Sequence, residues 1–295
     1  MNGIEVVRAG VLTTVQDLGR TGYAHLGVPR GGALDAPAHR LANRLAGNPA
    51  EAATLETTVT GVAVRPREPV TAAVTGASAP VTVDGRPVAW GAPVRVPAGS
   101  VLEVGPAVHG LRSYLAFAGG VAVEPVLGSR CTDVLSGLGP APLKDADVVP
   151  LGDRHGPAAH LDGPPGGAPG GELVLRVVLG PRDDWFTAGS LRTLGTGAYR
   201  VSAAGNRIGL RLEGPPLERA VKGELPSEGM VLGAVQVPPD GHPVVFLADH
   251  PTTGGYPVIA VVPEPDLAPA AQAAPGTAVR FVPVRSAARD RARLG

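Results

Sequence analysis

The chain contains a single cysteine, Cys131, so no disulfide can form within it. A disulfide-stapled secreted scaffold is thereby excluded, and a reducing, cytoplasmic setting is expected. Aromatic residues make up only 3% of the sequence against 44% hydrophobic residues overall, so the core must be aliphatic. Formal net charge is zero, and the arginines are scattered apart from the tail between Arg285 and Arg293. Without a basic patch, nucleic acid is not an expected partner. No apolar run approaches the ~20 residues a membrane-spanning helix needs, so no membrane association is expected. The opening Met1–Arg8 has no basic segment leading into an apolar one, as a secretion signal would.

Lysine is nearly as scarce, with Lys144 and Lys222 alone. Neither lies in a glycine-rich loop of the kind that cradles nucleotide phosphates, nor in an Ala-Met-Lys-Met-like turn that would accept biotin. No covalent biotin is expected. A Gly-x-Gly-x-x-Gly dinucleotide fingerprint is missing, and the nearest approach to a hydrolase nucleophile elbow, Thr75–Ala79, lacks the final glycine. The seven histidines show no metal-ligand spacing, so no metal site is expected from protein ligands alone.

Glycine (42) and proline (32) are abundant instead and together supply a quarter of the 295 residues. Punctuation this frequent between apolar runs favours many short strands over long helices. One helix is clear between Asp35 and Ala46: Asp35 is a good N-cap, Leu41, Ala42 and Leu45 recur at helical spacing, and Gly47-Asn48-Pro49 ends it. Val81–Val88 places Asp-Gly between two extended pieces, a strong hairpin signal. Strands are expected at Pro93–Pro97, Val101–Val104 and Tyr114–Phe117, and Leu173–Leu179 reads as a buried strand. The run Gly163–Gly171 has nothing to bury, which divides the chain into domains at 1–162 and 172–295 joined by a linker at 163–171. Val96–Val104 and Ala274–Phe281 echo each other faintly, as tandem related domains would.

Four segments gather polar residues and turn formers between apolar strands: Asp17–Arg20 leading to Gly27–Asp35, Asn206–Gly209, Ser227–Gly229 reaching Gln236, and Asp249–Pro257. Loops on a rigid scaffold are where sites are usually built. The same segments carry a resemblance. Gln16–Gly22, Gly27–Asp35, Leu41–Leu45, Leu55–Thr57, Tyr114–Gly120, Leu127–Arg130, Asn206–Leu212, Ser227–Gly229 and Thr252–Pro257 occur in order. Across nearly its whole length the chain resembles allophanate hydrolase subunit 2, also called the biotin-dependent carboxyltransferase-like family.

That resemblance implies a mainly β fold: two tandem cyclophilin-like β-barrel domains with few short helices. It implies the C component of a bacterial ATP-dependent 5-oxoprolinase, working with a B component, similar to allophanate hydrolase subunit 1, to activate 5-oxoproline by phosphorylation. A separate A component then completes ring opening to glutamate. Other members transfer a carboxyl group from biotin in urea carboxylase-like systems, and some relatives antagonise a kinase inhibitor without catalysis. Expected catalytic residues are Asp249, Glu228 and Arg207. Expected substrate-binding residues are Asp17, Arg20, Pro29, Asp35, Asn43, Glu56, Gln236, Thr252, Thr253, Gly254, Gly255 and Tyr256. ATP and Mg2+ are expected in the complex. Arg20 and Arg207 are the natural cations for a phosphoryl group, and Glu228 and Asp249 are candidates to hold Mg2+ or orient a water. For Asp249–Pro257 the alternative is a solvated turn that merely joins two strands.

Overall fold

A computed structural model describes residues 2–159 and 171–284. Positions 163–170 of the expected linker lie outside the described residues. The chain divides into two compact units, one of residues 2–23 and 30–159 and the other of Ala24–Pro29 and 171–284. The sequence boundaries assign Ala24–Pro29 to the first domain, whereas the structure groups this segment with the second unit.

The first unit is built from strands β1 (Gly3–Arg8), β2 (Leu12–Gln16), β3 (Thr54–Thr58), β4 (Val62–Pro66), β5 (Val70–Ser78) and β6 (Val81–Val83). It continues with β7 (Arg86–Pro87), β8 (Pro93–Val96), β9 (Leu102–Val104), β10 (His109–Phe117) and β11 (Val148–Pro150). They form a six-stranded sheet in the order β11-β1-β4-β9-β6-β7 and a five-stranded sheet in the order β2-β3-β10-β5-β8. Ile4, Val64 and Leu102 of one sheet share a core with Val15, Val74, Leu115 and Phe117 of the other. The predicted hairpin is present: Asp84 and Gly85 both have positive φ, 48° and 75°, the geometry that turns β6 back into β7.

Helix α1 (Ala36–Ala46) begins where expected, because the Asp35 side chain accepts from the Ala38 N–H. It ends at Gly47, whose φ of 79° is left-handed. Its small face, Ala42, Leu45 and Ala46, packs on Ala73, Tyr114 and Ala116 of the five-stranded sheet. Alanine on both sides permits the close approach.

In the second unit the strands are β12 (Leu173–Leu179), β13 (Tyr199–Val201), β14 (Gly209–Glu213), β15 (Glu228–Gly229) and β16 (Ala234–Gln236). They are followed by β17 (Val244–Phe246), β18 (Thr253–Gly254), β19 (Val258–Val261) and β20 (Ala278–Pro283), with helices α2 (Ala188–Thr196) and α3 (Leu267–Ala271). Seven strands close into a barrel, β12-β19-β16-β17-β14-β13-β20, and the parallel pairing of β12 with β20 seals the ring. The run Leu173–Leu179 is not buried on both faces: Leu173, Leu175 and Val177 point inward while Val174 and Arg176 are exposed. A barrel wall has one inside, and period-2 alternation decides which side chains reach it. The expected mainly β architecture with few short helices is therefore the one found. Among the described residues, no helix is long and apolar enough to cross a membrane.

Candidate functional site

In the first unit the expected residues fall into two buried networks. Asp17 accepts from the Gly19 N–H at 2.8 Å and the Ser129 hydroxyl at 2.7 Å through Oδ1, and from the Arg130 N–H at 2.6 Å through Oδ2. It thereby ties the Asp17–Arg20 turn to the loop 126–131. Arg20, 2% exposed, donates to the Cys131 carbonyl at 2.7 Å, and its Nη1 meets no acceptor among the described residues. Asp17 and Arg20 thus share one loop, and both are spent largely on holding it.

The second network centres on Tyr114, which is fully buried. Its hydroxyl donates to Glu56 Oε2 at 2.8 Å and accepts from the Asp35 N–H at 2.7 Å. Glu56 also accepts from the Leu34 N–H at 3.0 Å, and Arg112 stands 3.8 Å from its other oxygen. Burial first, and then the neighbouring Glu56 charge, push the phenol well above its ordinary pKa, so it stays a hydroxyl. Asn43 donates to the Ala52 carbonyl at 2.7 Å and accepts from Asn48 at 3.1 Å, stitching α1 to the chain after it. Beside it His39 is fully buried with Nε2 3.1 Å from the Ala50 carbonyl. A carbonyl only accepts, so Nε2 carries the proton and Nδ1 faces the Thr54 hydroxyl at 2.9 Å. Desolvation lowers the His39 pKa from 6.5 to about 4.

The second unit brings Arg207 and Asp249 together although they are 42 residues apart. Two parallel bonds join them, Nε to Oδ2 at 2.9 Å and Nη2 to Oδ1 at 3.0 Å, and the side chains are 1% and 0% exposed. A backbone bond from the Asp249 N–H to the Arg207 carbonyl reinforces the pair. The solvated-turn alternative for the start of Asp249–Pro257 therefore does not describe this loop. Its first residue is an anchor in the protein interior. The next residue, His250, stacks on Phe246 with ring centroids 5.9 Å apart.

Farther along the same loop, β18 pairs with β15 and sets Gly254 opposite Glu228 and Thr253 opposite Gly229. Glu228 is bound by Arg182, whose hydrogen bond holds the carboxyl below its usual range. This pair is partly open to solvent, with side chains 35% and 27% exposed for Arg182 and Glu228. Gln236 lies beneath, donating from Nε2 to the Tyr256 carbonyl at 3.2 Å. A side chain on Gly254 would meet that amide nitrogen at 2.8 Å, so the position admits only glycine without repacking. Arg219 lies over the exposed Tyr256 ring at 5.7 Å. Thr252 contributes its carbonyl to the Met230 N–H, while Thr253 is exposed and Gly255 half-buried. Pro29 is buried and belongs to the second unit.

Glu228, Gln236 and Thr252–Tyr256 thus form one cluster, with Arg207 and Asp249 anchoring its loop. Sequence reasoning missed Arg182 and Arg219, which complete the cluster. A guanidinium beside a carboxylate far away in sequence leaves no local spacing to read. Asp183-Asp184 after Gly180-Pro181-Arg182 is the nearest signal.

The residues do not fit a Mg2+ site as placed. Glu228 and Asp249 each face a guanidinium, and among the described residues no three of His, Cys, Asp and Glu converge on a point. Thr253 and Gly254 are extended and laddered to β15, not curled into the concave row of N–H groups that holds phosphate.

The geometry defines a two-unit β protein whose second unit carries a laddered loop, an accessible Arg–Glu pair and a buried amide. The comparisons give this class its family. Residues 26–283 match the model described as carboxyltransferase domain, subdomain A and B, and the chain belongs to that family. It is 39% identical to the C component of 5-oxoprolinase from Escherichia coli K12, across 95% of this chain and 90% of that one. It is 34% identical to the urea amidolyase of Lachancea kluyveri across 95% of this chain but 17% of that protein. Among solved structures, that of TTHA0988 superposes with a TM-score of 0.87 at 37% identity, covering 96% of this chain and 55% of its own. This chain therefore spans about half of TTHA0988 and a smaller share of the urea amidolyase.

Proposed function

We propose that this chain is the C component of a bacterial ATP-dependent 5-oxoprolinase and acts in a complex with the B component. The observation that carries the reading is the similarity over nearly full length to a stand-alone C component of 5-oxoprolinase. Lactam opening is slow because amide resonance resists attack by water, and phosphorylation of the carbonyl oxygen supplies a leaving group. ATP and Mg2+ are requirements of the assembled enzyme, and no step on this chain runs through them. The A component completes hydrolysis to glutamate.

The reachable charged groups in this reading are Arg182 and Glu228, beside Thr252, Thr253, Gly254, Gly255 and Tyr256. The Arg182 guanidinium supplies N–H donors that hold an oxygen of the bound substrate in place. Glu228, kept ionised by Arg182, orients the attacking group. Arg207 and Asp249 serve the reaction by fixing the loop that carries Thr252–Tyr256. In the first unit Asp17, Arg20, Asp35, Asn43 and Glu56 serve binding by holding their own loops in shape.

The similarity to urea amidolyases supports a second reading, a carboxyltransferase component that accepts a carboxyl group from biotin on another protein. One experiment separates the two. The chain is co-expressed with a candidate B component, and ATP consumption is followed with and without 5-oxoproline. Lactam-dependent turnover by the complex, with little or none by the single chain, is expected. Turnover by the single chain at the rate of the complex sinks the heteromer, and carboxyl transfer to urea from a supplied biotin carrier selects the second reading.

A further inference from the structure

We propose that Gln236 reads the substrate's amide N–H, its side-chain carbonyl accepting that hydrogen bond; the assignment rests on the amide or lactam chemistry of the reading above. Three observations carry it. Gln236 is 7% exposed, and its Nε2 faces the Tyr256 carbonyl. A carbonyl cannot donate, so the amide orientation is fixed and Oε1 must point the other way. That oxygen meets no donor among the described residues and remains open to solvent, unlike the sealed Oε1 of Gln16.

The second observation is the surroundings. Along β16, Gln236 falls on the same face as Ala234, which packs with Met230, Val244, Phe246 and Val258. An amide in an apolar cluster costs free energy unless both ends are satisfied. Here the nitrogen is satisfied by the protein and the oxygen is left for something that arrives. Third, the ladder between β16 and β19 skips a residue at this point: Val235 pairs with Ala260 and Gln236 with Val258, leaving Ile259 as a bulge. Bulges re-aim a side chain next to a site. Gly254, which has no side chain to clash with the Gln236 amide nitrogen, lies opposite Glu228 in the adjoining ladder.

The ligand class follows from the acceptor. A primary or secondary amide, a lactam or a urea carries the N–H that Oε1 lacks, and an N-alkylated lactam does not. Isothermal titration of the full-length chain, alone and with its co-expressed partner, compares 5-oxoproline, N-methyl-5-oxoproline and urea. The wild type should bind the N-methyl compound at least about tenfold more weakly than 5-oxoproline, the effect of one hydrogen bond lost at a desolvated site. Gln236→Met keeps length and apolar packing, and in it that discrimination should fall to about threefold or less while the melting temperature stays near wild type.

Equal binding of the two lactams by the wild type, or discrimination unchanged in Gln236→Met, overturns the assignment and leaves the 5-oxoprolinase reading standing. Binding of urea but not 5-oxoproline, lost in Gln236→Met, has the opposite result: the residue's role holds and the lactam reading falls. No binding of any amide by chain or complex overturns the role of Gln236. Should Gln236→Met fail to fold, the wild-type comparison of the two lactams decides alone.

Discussion

Asp249→Asn keeps the shape of the side chain and removes its charge, taking from the buried Arg207 guanidinium the carboxylate that accepts two of its bonds. Both guanidinium bonds are short and the two side chains are 1% and 0% exposed, so water cannot take over the lost partner. Breaking such a pair from one side typically costs about 3–5 kcal/mol. Because an asparagine carbonyl still accepts one of the two bonds, the lower end applies, about 3 kcal/mol. The same substitution in a solvated turn would cost under ~0.5 kcal/mol. At the size of the second unit, 3 kcal/mol corresponds to a fall in melting temperature of roughly 10 °C. Differential scanning calorimetry is the suitable assay, since two units need not melt in one transition. A double variant, Arg207→Met with Asp249→Leu, removes both charges and should recover at least half of the loss, because replacing a buried ion pair by apolar side chains costs less than breaking it from one side. A single variant that melts within about 2 °C of wild type, or a double variant no better than the single, refutes the reasoning. Turnover of Asp249→Asn must accordingly be measured at a temperature where the variant is shown to be folded.

Three further outcomes are expected. The unfolded chain takes up a proton at His39 near pH 6.5 that the folded protein refuses until about 4, so acidification through that window favours unfolding by up to about 3 kcal/mol. Stability of the first unit is therefore full above pH 6.5 and falls as pH drops toward 4, a slope that His39→Gln should flatten in urea titrations across pH. Tyr114→Phe strips the hydroxyl from both the Asp35 N–H and Glu56 and should cost about 1–3 kcal/mol by urea unfolding; a loss under about 0.5 kcal/mol would contradict the network. Gly61→Ala should abolish soluble expression or lower the melting temperature severely, because the new methyl would lie 1.9 Å from the Val104 carbonyl at a φ of +70°; normal melting would count against the close approach.

The sequence by itself determined the local elements, and it did so where the deciding physics is local. Asp35 and Gly47 bound α1 because a capping side chain and a left-handed glycine act within one turn. Asp84-Gly85 fixes the β6–β7 hairpin because only such residues tolerate two positive φ angles in succession. Spacing of glycine and proline announced short strands, and ordered blocks announced the family, whose model covers residues 26–283. Tertiary structure decided the rest. The one-sided burial of Leu173–Leu179 depends on a parallel partner, Ala278–Pro283, about a hundred residues away. Asp249 reads as a turn residue until Arg207 is placed against it, since burial of a charge is a property of what surrounds it. The pairing of Glu228 with Arg182 and the free oxygen of Gln236 are likewise invisible in a string of letters. Each arises where strands distant in sequence are brought side by side, and hydrogen bonds of that range have no period for a sequence to display.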